Sequence, residues 1–221
     1  MAFYVFDETP KEINKKDETY DISGSYYREF IETCCRYSAY FSFRRYQYKT
    51  LLWEPEPKAF PSDKDLCFIS RLFDSGIDLL YVFKCNERTK NFLQTYTKGL
   101  QYWYNMEGVY GNLNMPEDLS FYREDGSCLF YSQTHEGDIK LFLRDDEDFS
   151  NIIVQPGWRK DKDYSSELMT PGWLFSREMV SLGSACPEEM AKHWCQQRNQ
   201  GLPQSLLDLL DSAKRSRDSH L

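Results

Sequence analysis

Two spacings of apolar residues alternate along the chain. Tyr27, Phe30, Ile31, Cys34, Ser38 and Phe41 stand three or four residues apart, which aligns side chains on one face of a helix. Ser25 is a candidate cap and Glu29 lies in the first turn. Neither Gly nor Pro interrupts before residue 42, so the spacing predicts a helix over 25–42 whose aromatic stripe is core. The polar stretch 7–22 ahead of it reads as an extended arm or loop. Phe43, Tyr46, Tyr48, Leu51, Leu52 and Trp53 either continue the helix or form a strand, and Pro55 and Pro57 end either one. Pro61-Ser62-Asp63 predicts a loop opening a short helix across Leu66 to Phe73. After the turn signal Asp74-Ser75-Gly76, the run Ile77 to Cys85 is rich in strand formers and predicts a buried strand. Asn86 followed by Glu87 is a second helix start, with Phe92, Leu93, Tyr96, Leu100, Trp103 and Tyr104 at helical spacing as far as Gly108. Gly108, Gly111 and Pro116 mark a connector.

From residue 119 the period drops to two. Leu119 to Arg123, Cys128 to Thr134 and Ile139 to Leu143 are strand candidates. The first two are separated by Glu124-Asp125-Gly126-Ser127 and the last two by His135-Glu136-Gly137-Asp138. Each turn holds a glycine able to take positive φ. The pattern predicts a three-strand antiparallel meander. Ile152-Ile153-Val154 reads as a further short strand, Arg159 to Asp163 as a mixed-charge loop, and Pro171-Gly172-Trp173 as a turn. Pro187 with Glu188 and Glu189 opens a third helix that Gly201 closes, and Pro203 opens a fourth bearing Leu206, Leu207, Leu209 and Leu210. From Lys214 the chain is polar and frayed. The fold class is therefore α+β, with a central meander on which N-terminal and C-terminal helices pack. It forms a single domain over 1–221 with a sub-boundary near 108–116.

Composition agrees with a packed core, since 41% of the 221 residues are hydrophobic. No apolar run approaches the roughly 20 residues needed to span a bilayer. Asp7 and Glu8 stand where a secretory leader carries base, so the expected location is the cytoplasm. Seven cysteines, an odd number with no Cys-x-x-Cys among them, read as reduced thiols used as small hydrophobes.

Charge changes the picture more. The formal net charge is −8, and residues 117–150 hold ten acids against three bases. Such a field repels nucleic acid and anionic membrane and attracts a basic protein partner. The plain alternative is a solvated rim that keeps the protein soluble.

Candidate chemistry is sparse. P-loop, dinucleotide-binding, nucleophile-elbow and His-Glu-x-x-His spacings are all missing from the sequence. Cys186, His193 and Cys195 are near in sequence, but positions 193 and 195 of one helix point to different faces. Asp145, Asp146, Glu147 and Asp148 lack the alternation of a calcium loop. Cys35 or Cys128 with His135 has no spacing that supports a nucleophile–base pair. No metal and no cofactor is expected.

The balance of these signals argues against an enzyme and for a small acidic binding or inhibitory protein, immunity-like in character, that masks a basic partner. Its expected contacts are Tyr122, Glu124, Asp125, Tyr131, His135, Glu136, Asp138, Asp145, Asp146 and Asp148. Two other readings stand beside it. One is a hydrolase with His135 as base and Glu136 as orienter. The other is an accessory subunit with an apolar patch around Leu206 to Leu210.

Overall fold

The structure is a computed structural model that describes residues 1–7, 20–46, 61–71, 78–103, 116–162 and 167–175. Eight strands, β1 (Ala2–Phe6), β2 (Tyr40–Tyr46), β3 (Leu66–Arg71), β4 (Asp78–Lys84), β5 (Glu117–Tyr122), β6 (Cys128–Gln133), β7 (Asp138–Leu143) and β8 (Trp158–Asp161), form one sheet. Its order is β3-β4-β2-β5-β6-β7-β1-β8, and every pairing is antiparallel. The helices are α1 (Gly24–Tyr37), α2 (Glu87–Tyr96) and the short α3 (Ser150–Ile153).

The meander stands where the period-two pattern predicts it, as β5, β6 and β7. Gly126 (φ 77) and Gly137 (φ 65) occupy its two turns in the left-handed region. Between β5 and β6 the register runs Phe121↔Phe130 and then Tyr122↔Cys128. Leu129 is thus an extra, bulged residue, and it joins Phe130 in the same buried cluster.

One face of the sheet offers Phe41, Phe43, Phe83, Leu119, Phe121, Phe130, Ile139 and Leu141 to Tyr27, Phe30, Ile31 and Cys34 of α1 and Leu93 of α2. The Trp103 indole donates to the Tyr27 hydroxyl at 2.8 Å, inside this core. The opposite face carries Phe3, Leu80, Val82, Tyr122, Cys128 and Phe142, with Leu174 packed among them. Trp173 stacks on Tyr122 with ring centroids 5.8 Å apart. Each large side chain so buried contributes about 1.5–3 kcal/mol of transfer free energy.

The second helix begins where Asn86 predicts. The Asn86 side chain accepts from the Arg88 and Thr89 amides at 3.0 and 3.1 Å, and Thr89 Oγ1 accepts from the Asn86 amide at 2.9 Å. It ends at Tyr96, however, and Leu100 belongs to a separate 3₁₀ turn, Leu100–Tyr102.

Other elements depart from the sequence pattern because distant backbone competes for the same residues. The first helix starts after Ser23 rather than Ser25 and stops at Tyr37. Its continuation is captured by the sheet: the Ala39 amide donates to Tyr122 O at 3.0 Å, and Ala39 O accepts from the Cys85 amide at 2.8 Å. Phe41 is therefore a strand residue. Leu66 to Arg71 forms β3, not a helix, because β4 pairs with it from Leu66 to Arg71, with one register shift at Cys67. Ile152 and Ile153 lie in α3, not a strand, whose first turn closes through Ile153 N to Phe149 O at 2.9 Å. The expected charged loop at 159–161 is edge strand β8, paired with β1. Strand β1 itself, ahead of the expected arm, pairs with β7. The helices expected from Pro187 and Pro203, the patch at Leu206 to Leu210, and Cys186, His193 and Cys195 lie outside the described residues.

Candidate functional site

A three-strand meander places its first turn and the exit of its third strand at the same end. Here the β5–β6 turn, residues 123–127, meets the loop that follows β7, residues 144–149. The junction is built on Arg123, whose side chain is 8% exposed against 5% for Glu147. Arg123 grips Glu147 in a fork, Nε to Oε1 at 2.5 Å and Nη2 to Oε2 at 2.7 Å. It also donates to the carbonyls of Cys128 and Phe142. Glu147 Oε2 accepts the Arg144 amide at 2.7 Å, and Arg144 Nη2 reaches Asp125 at 2.5 Å. A bidentate, buried, fully hydrogen-bonded pair of this kind holds two loops in one geometry.

Outside this frame stand Glu124, Asp145, Asp146 and Asp148, all exposed. The N-terminal amine bonds Asp145 at 2.7 Å and holds its carboxyl below the usual carboxylate range. Asp148 accepts the Ser150 amide at 3.0 Å, which lowers it likewise. Its own amide donates to the Tyr37 hydroxyl at 3.0 Å, tying the loop to the end of α1. Burial pushes the Asp125 carboxyl up, but hydrogen bonds from Arg144 and Ser127 outweigh it, and the net position is below the usual range. Five of the ten expected contacts, Glu124, Asp125, Asp145, Asp146 and Asp148, thus share one end of the sheet.

Three others, His135, Glu136 and Asp138, sit at the opposite end, in and just after the Thr134–Glu136 turn. The six residues of β6 put the two ends about 20 Å apart. Glu136 is exposed, and the side chain of His135 lies outside the described residues. Asp138 pairs with Lys140 at 2.6 Å. Two further acids of the 117–150 run, Glu117 and Asp118, are buried there, 2% and 0% exposed. Asp118 Oδ1 accepts from the Thr134 amide and hydroxyl at 2.8 and 3.0 Å, and Oδ2 lies 3.5 Å from Arg44. Asp118 is also the one described non-glycine residue with positive φ, at 58°, a conformation that Asp tolerates better than most.

The two tyrosines occupy the second face of the sheet. Tyr122 is 2% exposed and its hydroxyl meets Ser42 Oγ at 3.1 Å, so it is a core residue and not a surface contact. The sheet is covered on both faces, so the side of β5 that carries Tyr122 is core as well. Tyr131 is half-buried, donates to Gln133 at 3.0 Å and has Lys140 5.9 Å from its ring centroid. The acidic run is therefore divided: part of it is internal to the fold, and the solvent-facing remainder lies at two ends.

Catalytic pairings gain nothing from the geometry. Cys128 is buried and its thiol donates to Phe130 O at 3.2 Å. Burial pushes that thiol far up, which keeps it protonated. Among the described residues, no group of three or more His, Cys, Asp and Glu side chains is placed to hold a metal ion. No described helix is long and apolar enough to cross a membrane. A cleft of about 460 Å³ beside β1 and β8 is lined by Met1, Ala2, Phe3, Lys160, Asp161, Lys162 and Met169, none of them a candidate contact. The Arg123–Glu147 pair escapes sequence reading because 24 residues separate its members. The hairpin arithmetic of the meander is the signal that would bring them together. No family model, curated protein or solved structure matches the chain.

Proposed function

We propose that the protein is a small cytoplasmic binding protein that masks a basic protein partner through the end of the sheet formed by residues 123–127 and 144–149. One observation carries the reading: Glu124, Asp145, Asp146 and Asp148 face solvent on two loops that the buried Arg123–Glu147 pair locks together. Carboxylates held in place need less ordering on association than carboxylates on free loops. Their field speeds encounter with a cationic surface and disfavours nucleic acid and anionic membrane. The same reading carries C-terminal helices, opening at Pro187 and Pro203, packed on the meander. It requires no metal and no cofactor. No specific observation favours the hydrolase built on His135 and Glu136.

The test uses the product of the adjacent gene as the partner. Complex formation is measured by calorimetry as ionic strength rises, for the parent chain and for two charge reversals. Affinity is expected to fall with salt. It is expected to fall further for the combined variant Glu124→Lys/Asp146→Lys and to hold for Glu136→Lys at the far end. Binding indifferent to salt, or weakened equally by Glu136→Lys, overturns the assignment of this surface.

A further inference from the structure

Strand β8 ends the sheet and pairs with β1. The lining of the 460 Å³ cleft beside these strands divides by chemistry. One part is apolar and consists of Met1, Ala2, Phe3 and Met169. Phe3 stands in register with Asp161 and stacks on Phe142 with ring centroids 5.3 Å apart, so its ring is held in place. Met169 belongs to the Glu167–Met169 turn and packs against the same face of the sheet as Phe3. Its thioether, like that of Met1, can adapt to the shape of a guest. The other part is cationic. Lys160 and Lys162 flank Asp161 in the chain, and both are exposed. The Asp161 carboxylate is committed elsewhere, to Arg159 at 3.1 Å and to the Lys162 amide at 2.8 Å. Neighbouring cations are matched by acids: Arg159 pairs with Asp7 as well as Asp161, and the amine of Met1 pairs with Asp145. Among the described residues, Lys160 and Lys162 form no ion pair.

We propose that this cleft binds a small organic carboxylate with an apolar tail, the tail against Phe3 and Met169 and the carboxylate between the ammonium groups of Lys160 and Lys162. The volume lies within the span of small-molecule sites, roughly 300–1,000 Å³, which pair an apolar wall with a few polar groups that fix orientation. An uncharged apolar guest leaves both ammonium groups unused. An inorganic anion leaves the ring and the thioethers uncovered. A carboxylate on an apolar tail uses both halves of the lining. The long flexible stems of the two lysines let their charged heads close on a carboxylate from either side while the stems add apolar cover. The formal net charge of −8 repels anions from the molecule as a whole, so retention of a carboxylate rests on these two local charges. Neither lysine belongs to the acidic end of the sheet, and the cleft therefore stands or falls separately from the masking role.

The experiment titrates the full chain, labelled at its methionine methyl groups, with octanoate, octanol and octylamine, and follows the methyl signals by NMR. Met169→Gln identifies one of the two signals that matter. Octanoate is expected to shift Met1 and Met169 saturably, to bind more tightly than octanol of the same tail, and to weaken as salt rises. Octylamine is expected to give no saturable shift. Exchanging both exposed lysines, Lys160→Gln with Lys162→Gln, is expected to weaken octanoate by about fivefold or more and to leave octanol unchanged. An unaltered thermal midpoint shows that the lysine variant remains folded. The proposal is overturned if octanoate shifts neither Met1 nor Met169, if octanol or octylamine binds as tightly as octanoate, or if the double lysine variant keeps the parent affinity.

Discussion

The two ends of the meander use acidic residues in opposite ways. At the Arg123 end one buried ion pair lies inside, and four carboxylates are turned outward. At the Thr134 end Glu117 and Asp118 are drawn into the fold, and Asp118 serves as an internal acceptor for Thr134. The composition of the two stretches is similar. Both ends hold basic partners; what differs is the backbone: Arg123 and Arg144 satisfy Glu147 and Asp125 and leave the other carboxylates of that end to solvent, whereas at the Thr134 end Asp118 lies beside Arg44 and also accepts from the amide and hydroxyl of the β6–β7 turn. A run of acid in a sequence is therefore not yet an acidic surface.

The largest expected effect comes from breaking the frame. Arg123→Ala leaves Glu147 buried without its partner and is expected to cost about 3–5 kcal/mol in urea unfolding. Replacing both members by apolar residues of similar size, Arg123→Met with Glu147→Leu, is expected to recover most of that loss, and a failure to recover would show that the pair is needed for the loop geometry itself.

The two turn glycines sharpen the comparison. A Cβ at Gly126 would meet the Phe175 ring at 2.8 Å, while at Gly137 nothing lies within 4 Å. Both demand positive φ. Gly126→Ala should cost about 2–4 kcal/mol and Gly137→Ala about 1–2 kcal/mol, the difference being the clash. Equal thermal shifts in the two variants would contradict the packing of Phe175 on the first turn.

At the Thr134 end, Asp118→Ala removes both acceptor and counter-charge and should cost about 2–3 kcal/mol. Asp118→Asn keeps an acceptor and tolerates the left-handed backbone, so about 1 kcal/mol is expected. Denaturation midpoints of the two variants decide whether the hydrogen bonds or the charge matters more.

The smallest effect is one of pH. The Asp125 carboxyl titrates below its ordinary value in the folded protein. The folded state thus binds fewer protons than the unfolded one, and the contribution is complete above about pH 4, the unfolded carboxylate value, and fades as pH falls through the lower folded value. Asp65, lowered by hydrogen bonds from Arg88, acts with the same sign. In Asp125→Asn the fall in unfolding midpoint between about pH 4 and pH 2 should be shallower, with the Asp65 share left in place.

Where a residue's conformation is decided within four positions of itself, the chain could be read directly. The glycines at 126 and 137, the Asn86 cap and the strand period from 119 to 143 are of this kind, because turns and caps are closed by neighbouring amides. The end of α1 at Tyr37, the strand at Leu66 and the pairing of Ala2–Phe6 with β7 were decided elsewhere, by backbone donors and acceptors of remote strands that take up the free groups of those segments. The same holds for the acids. Their number is a property of the sequence, but whether each one meets an arginine, a turn amide or water depends on which loops the sheet brings together, and only the folded sheet specifies that.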